Sequence, residues 1–288
     1  MSDKQRKYFS LRTGKQSRSI AFDGLIKLIL TIFEDFQSRG YFDEYFGYKC
    51  VDVGYTAGKA GANLRNYALR KLRKDIWPFN RLSIVNYSEE DLFDMIEFLF
   101  DYISKPLENG ANYHSWDNCG WHYVNFDQST GKKEFVDEVN QFLNDYSVGY
   151  EISDKGEILG LGDLQLQQLL NASLPSYDPK NIEGKIILAS DKFRRYGSSL
   201  SDRAEAVRIL ADCLEFLRPE IEKIIPNKDE SDLFNIANNF GIRHHTSKQK
   251  TNYDKNIWLS WMFYFYLATL HACIRILKKQ IISLKGKV

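Results

Sequence analysis

The run Ile257 to Leu277, IWLSWMFYFYLATLHACIRIL, constrains this chain more than any other stretch. As a helix, its 21 residues would extend roughly 30 Å, enough to cross a bilayer. His271 and Arg275 interrupt the run, lysines follow it, and the chain offers no second span. Charges inside a bilayer cost several kcal/mol. The run therefore predicts a buried core helix, with no membrane partner. A helix that apolar needs other apolar faces to cover it, so the fold has to supply further amphipathic helices.

They are present. In IAFDGLIKLILTIFEDFQSRG, residues Ile20, Leu25, Leu28, Ile29, Ile32, Phe33 and Phe36 recur at helical spacing, and Gly40 is a natural stop. GKAGANLRNYALRKLRKDIW puts Leu64, Tyr67, Ala68 and Leu72 on one side and closes at Pro78. YSEEDLFDMIEFLFDYISKP is capped by Ser88, carries acids in its first turn and ends at Pro106. LENGANYHSWDNCGWHYVNFDQSTGKK lacks a helical period, and WHYVNF in it reads as a strand. KEFVDEVNQFLNDY returns to helix, and YEISDKGEIL reads as a hairpin turning at Asp154-Lys155-Gly156. Beyond it GDLQLQQLLNASL, PKNIEGKIILASDKFRRYG, SLSDRAEAVRILADCLEFLRPEIEKII, DESDLFNIANNFGI and the final segment read as helices.

The predicted fold class is mainly α. A helical N-terminal domain spans 1–106, an acidic connector with a β-hairpin spans 107–162, and a C-terminal helical bundle spans 163–288. The length of 288 residues suits one large or two ordinary domains. Cys50, Cys119, Cys213 and Cys273 follow no repeated spacing, which suits reduced thiols in a cytoplasmic protein. MSDKQRKYFS precedes any apolar run, so no secretory leader is expected.

The net charge of +1 hides an uneven distribution. Residues 1–80 carry 15 Lys/Arg against 8 Asp/Glu, 81–170 carry 5 against 17, and 171–288 carry 19 against 13. Two basic ends could face a polyanion, or they could dock on the acidic middle. The basic face of the helix at 59–74, with Arg65, Arg70, Lys71, Arg73 and Lys74, is a candidate for nucleic-acid backbone contacts. A solvated helix surface is the competing reading.

Several motifs fail on spacing or chemistry. GYTAGKAG is one residue short of a P-loop and has Ala60 where a Ser or Thr is needed. RTGK and STGKK are weaker still. No nucleophile elbow occurs, and Glu89-Glu90 and Asp137-Glu138 sit where helix surfaces would put them. His114, Cys119 and His122 offer three zinc ligands within nine residues. A structural site needs four, and the nearest candidate for the fourth is Asp117. Packing of these side chains under a loop is the better account, so neither a metal nor a cofactor is expected.

One loop gathers chemistry. In NNFGIRHHTSKQKTNYDK, Arg243, His244 and His245 follow Gly241, with Lys248 and Lys250 close behind and Asn239 just before. Imidazoles can move a ribose 2′-OH proton near neutral pH, and a guanidinium can hold the phosphate as charge grows. The set suits metal-independent cleavage of RNA. Ties to helix-end carbonyls or to acids such as Glu230 and Asp232 are the competing reading.

The segments SDRAEAVRILADCLEFLRP, DLFNIANNFGIRHH and YDKNIWLSWMFYFYLATLHACIRIL resemble the HEPN superfamily of helical bundles. With YFSLRTGK, WPFN and LFDMIEFLFDYISKP, the whole chain is similar to the abortive-infection (AbiJ-like) type of prokaryotic defence protein. The resemblance implies an anti-phage effector, an RNA substrate, and a site formed across a homodimer or within a defence complex. Family members that cut RNA carry Arg, a polar residue, then His four to six residues on. Here Asn239 stands at the arginine position if His244 or His245 is the family histidine, and Arg243 directly precedes His244. Two readings stay open: a variant endoribonuclease, or a non-catalytic module that binds nucleic acid, a nucleotide or a partner protein.

Overall fold

A computed structural model describes residues 9, 19–162, 164–170, 172–223 and 254–285. The protein is mainly helical, with small antiparallel hairpins. It divides into two compact units, Met1–Gly160 and Leu161–Val288, each with its own hydrophobic core.

In the first unit, helix α1 (Phe22–Ser38) turns Leu25, Ile26, Ile29, Leu30, Ile32, Phe33 and Phe36 inward. A single-turn helix, α2 (Asp43–Phe46), leads into strands β1 (Tyr48–Cys50) and β2 (Gly54–Thr56). Helix α3 spans only Leu64–Leu72. The sequence predicts a longer helix here, over 59–74, but two local features stop it. Asn63 caps the first turn, accepting from the Asn66 amide at 3.0 Å, and Arg73 adopts a left-handed conformation with φ 55°. Helix α4 (Glu89–Tyr102) starts on the capping box of Ser88 and Asp91 and buries eight residues.

The remaining elements of this unit are strands β3 (Lys105–Pro106), β4 (Asn112–His114), β5 (Gly120–His122) and β6 (Phe126–Asp127), helix α5 (Gln128–Leu143), and strands β7 (Tyr150–Ile152) and β8 (Ile158–Gly160). The stretch expected at 107–162 as a separate connector is therefore built into the N-terminal unit through Gly160. Polar side chains pin it there. Glu97 of α4 accepts from the Ile158 amide at 2.8 Å, and Glu89 of the same helix accepts from the Tyr146 hydroxyl at 2.5 Å. Gly131, from the STGKK phrase, lets α5 approach β3. A Cβ there would lie 2.6 Å from the Lys105 nitrogen. Aromatic rings fill the centre: Phe46 stacks with Phe42 and Phe98 and meets Trp77 edge-on.

The described part of the second unit contains α6 (Leu164–Leu170), a π-helical turn at Pro179–Glu183, α7 (Gly184–Arg194), α8 (Leu200–Ile221) and α9 (Lys255–Lys285). Ser199 and Asp202 form the capping box that starts α8. Its buried stripe of Ala206, Val207, Leu210, Cys213, Leu214 and Leu217 packs on α7 and α9. Helix α9 answers with Leu259, Met262, Phe263, Tyr266, Leu270, Ile274 and Leu277. By length and composition Lys255–Gln280 could cross a membrane, but half of its most apolar window is buried within the protein.

His271 lies in that buried helix at 7% exposure, and its Nδ1 has no hydrogen-bond partner among the described residues. Burial, and secondarily the neighbouring Arg275 charge, hold the imidazole below its ordinary pKa. The unfolded chain therefore takes up a proton that the folded chain resists. Stability is complete above about pH 6.5 and falls as the pH drops through that value. Thermal melts of the second unit between about pH 8 and pH 5 should show this acid-side loss. His271→Leu should flatten the slope, and an unchanged slope would rule His271 out as its source.

Candidate metal centre

The cysteine at the end of β1 and three residues of the β4–β5 hairpin meet in the first unit. The ligating atoms of Cys50, His114, Cys119 and His122 all lie within 4.8 Å of one another. Cys50 Sγ is 3.8 Å from His114 Nδ1, and Cys119 Sγ is 3.1 Å from His122 Nε2.

Local chain chemistry places each ligand. In β1–β2, Cys50 pairs with Gly54, whose φ of 75° closes the three-residue turn Val51-Asp52-Val53. In β4–β5, His114 pairs with Gly120 and Asn112 with His122, so His114 and His122 share one face. Tyr113 and Trp121 pair on the other face, with ring centroids 5.0 Å apart. Asp117 has φ 46° and Gly120 φ 95°; these left-handed residues turn the connection that brings the Cys119 thiol to His122 Nε2.

The surroundings tune the donors. Cys50 is held below the ordinary thiol range, chiefly by the Val53 and Asp52 backbone amides that donate to its sulfur, and also by Cys119. The second nitrogen of His114, Nε2, lies 3.1 Å from the Asp52 carboxylate. That contact orients the ring so that Nδ1 faces the thiols. Tyr48 packs its ring against His122 at 4.6 Å. A cavity of about 720 Å³ borders the cluster, with Cys119, His122, Tyr123 and Asp43 in its wall. Burial raises the Asp43 carboxyl to about 6.

The sequence identifies three of these ligands and expects no metal for want of a fourth. The side chain that joins these three is not the neighbouring Asp117 but Cys50, 64 positions from His114. No spacing rule reaches so far. The available local signal was the turn Cys50-Val51-Asp52-Val53-Gly54, a short hairpin that the periodicity argument passes over.

The other predicted site residues divide. Asn239, Arg243, His244, His245, Lys248 and Lys250 lie outside the described residues, as do the segment DESDLFNIANNFGI, expected as a helix, and the proposed acidic partners Glu230 and Asp232. The described basic residues do not form one free face. Arg65 makes a two-pronged contact with Asp75 at 2.6 and 2.9 Å, and Lys74 bridges Asp91 and Asp94 at 3.1 and 2.6 Å. Lys71 lies over the Tyr67 ring. Arg70, Lys71 and Arg73 are exposed. Part of the N-terminal positive charge is thus matched by acids of the same unit. The glycines of GYTAGKAG serve the backbone: Gly54 closes the hairpin and Gly58 packs against the Tyr45 carbonyl.

Fold and site together define a class: a mainly helical protein of two compact units, the first holding a Cys2His2 cluster between two hairpins. Comparison with protein-family models, with curated proteins and with solved structures finds no match to this chain.

Proposed function

We propose that the protein is a cytoplasmic prokaryotic defence effector that cleaves RNA without a catalytic metal, using the polar segment joining its two longest described helices. The observation that carries this reading is the placement of Arg243, His244 and His245 in the chain between α8 and α9. Those helices pack along each other to form the heart of the second unit. The resemblance to HEPN bundles adds to it, and implies that two copies, or a defence-complex partner, complete the site.

In this reading His244 and His245 act as base and acid on the ribose 2′-OH and the leaving 5′-oxygen. Arg243 stabilises the charge on the phosphate, and Asn239 orients it. Lys248, Lys250 and the exposed Arg70, Lys71 and Arg73 supply sequence-independent attraction to the backbone. Single-stranded or looped RNA is favoured, because its sugars and bases are accessible.

Labelled single-stranded RNA incubated with the protein in EDTA is expected to yield fragments ending in a 2′,3′-cyclic phosphate. His244→Ala/His245→Ala should reduce the rate by roughly 10²-fold or more. Equal cleavage by both proteins, or none by either, rejects the proposal. The second reading, a non-catalytic binding module, is favoured by Asn239 standing at the family's arginine position. It requires RNA affinity that falls steeply with salt, and no turnover.

A further inference from the structure

We propose that Cys50, His114, Cys119 and His122 bind one zinc ion that staples the β1–β2 hairpin to the β4–β5 hairpin. The inference is independent of the ribonuclease reading, because it rests on a different unit and on different side chains.

Geometry is the first support. A tetrahedral zinc with Zn–S near 2.3 Å and Zn–N near 2.0 Å sets its ligand atoms about 3.3–3.8 Å apart. The two sulfur–nitrogen separations of 3.1 and 3.8 Å bracket that range, and no pair in the cluster exceeds 4.8 Å. Packing under a loop, the simpler account of these residues, requires no such convergence of four donor atoms from two hairpins. A disulfide would need only the cysteines, leaving two imidazoles turned toward them unexplained, and both thiols are free.

The second support lies around the ligands. Metal-bound histidines usually pass their other nitrogen to a carboxylate or carbonyl, which fixes the ring and its tautomer. His114 does this with Asp52, in the turn that directly follows Cys50. One three-residue turn thus follows one ligand directly and orients another from outside the cluster.

Donor chemistry selects the ion. Two sulfurs and two imidazoles suit zinc. Calcium and magnesium take oxygen ligands, and iron–sulfur clusters are held mostly by four thiolates. Four protein donors leave no open position for water or substrate, so the ion is structural. Two thiolates also neutralise its charge. The staple offers what three-residue strands lack, since isolated short hairpins are marginal in water.

The full-length protein, dialysed against metal-free buffer, should retain about one zinc per chain by elemental analysis. Cobalt(II) substitution should produce the thiolate-to-metal charge-transfer and tetrahedral ligand-field absorption of a two-sulfur site. Cys50→Ser and His122→Ala should lose the metal at least tenfold more readily to a chelator. Cys213→Ser, in the second unit, should retain it. His114→Cys keeps four donors and should retain metal with a stronger charge-transfer band, so the test survives if Cys50→Ser fails to fold. Wild-type protein that takes up neither zinc nor tetrahedral cobalt overturns the proposal, as does stoichiometric, tightly held metal in folded Cys50→Ser. Protein that holds zinc but cuts no RNA keeps this inference and removes the ribonuclease reading.

Discussion

Gly58→Ala should be among the most damaging single-methyl additions in the first unit. A Cβ at this position would lie 2.5 Å from both the carbonyl carbon and oxygen of Tyr45, and 2.6 Å from the Gly47 nitrogen. These are backbone atoms of a tight crossing, and no side chain can swing aside to make room. Just beyond, Lys59 and Ala60 donate backbone hydrogen bonds to the Glu44 and Tyr45 carbonyls at 2.9 and 2.8 Å. Relieving the clash therefore loosens the return of the β1–β2 hairpin, which carries Cys50. The expected cost is roughly 2–4 kcal/mol. For a unit of this size that lowers the melting temperature by about 5–15 °C.

Gly54→Ala is the matched control. Its φ of 75° disfavours alanine, but a Cβ there meets nothing within 4 Å, so the cost should stay near 1 kcal/mol. Calorimetry on the two variants separates close approach from backbone strain. Equal losses would show that the crossing at Gly58 is looser than described.

Phe263→Ala should produce the other large loss, in the second unit. Phe263 is fully buried in α9 and stacks on Phe193 of α7 at 4.0 Å between centroids, with the planes 11° apart. Removing the ring withdraws contacts from both helices, and α8 packs against the same surface. Such truncations cost roughly 3–5 kcal/mol, depending on how far the neighbours collapse. Because each unit has its own core, the loss should fall on the transition of the second unit and leave zinc retention by the first unchanged. Calorimetry combined with metal analysis reads both. Loss of zinc from Phe263→Ala at temperatures below its melt would contradict the separation of the two cores.

The two variants also bear on the functional proposals. Gly58→Ala disturbs the hairpin that would hold the metal, while Phe263→Ala disturbs the helix pair flanking the Arg243-His244-His245 segment. Cleavage that survives Gly58→Ala and fails when the second unit melts would assign the activity to the C-terminal unit.

The sequence by itself determined the main course of α1, α4 and α8, because their signals are local. The apolar spacing of α1, α4 and α8 is written in residues three and four apart, and the Ser88–Asp91 and Ser199–Asp202 boxes mark two starts within four residues each. The hairpin at 150–160 was legible for the same reason, since Asp154-Lys155-Gly156 is turn chemistry in three adjacent positions. Three of the four clustered donors were visible because they lie within nine residues.

Only the tertiary structure decided what those pieces meant together. The stretch at 107–160 joins the N-terminal unit because Glu97 and Glu89 accept from Ile158 and Tyr146, 61 and 57 positions away, and no local pattern encodes such partners. The positive charge of Arg65 and Lys74 is taken up by acids that only folding brings near. Cys50 completes a tetrad across 64 positions because folding brings two short hairpins to one place. A metal site is defined by separations of a few ångströms in space, and spacing along the chain reports those only when the ligands share a turn.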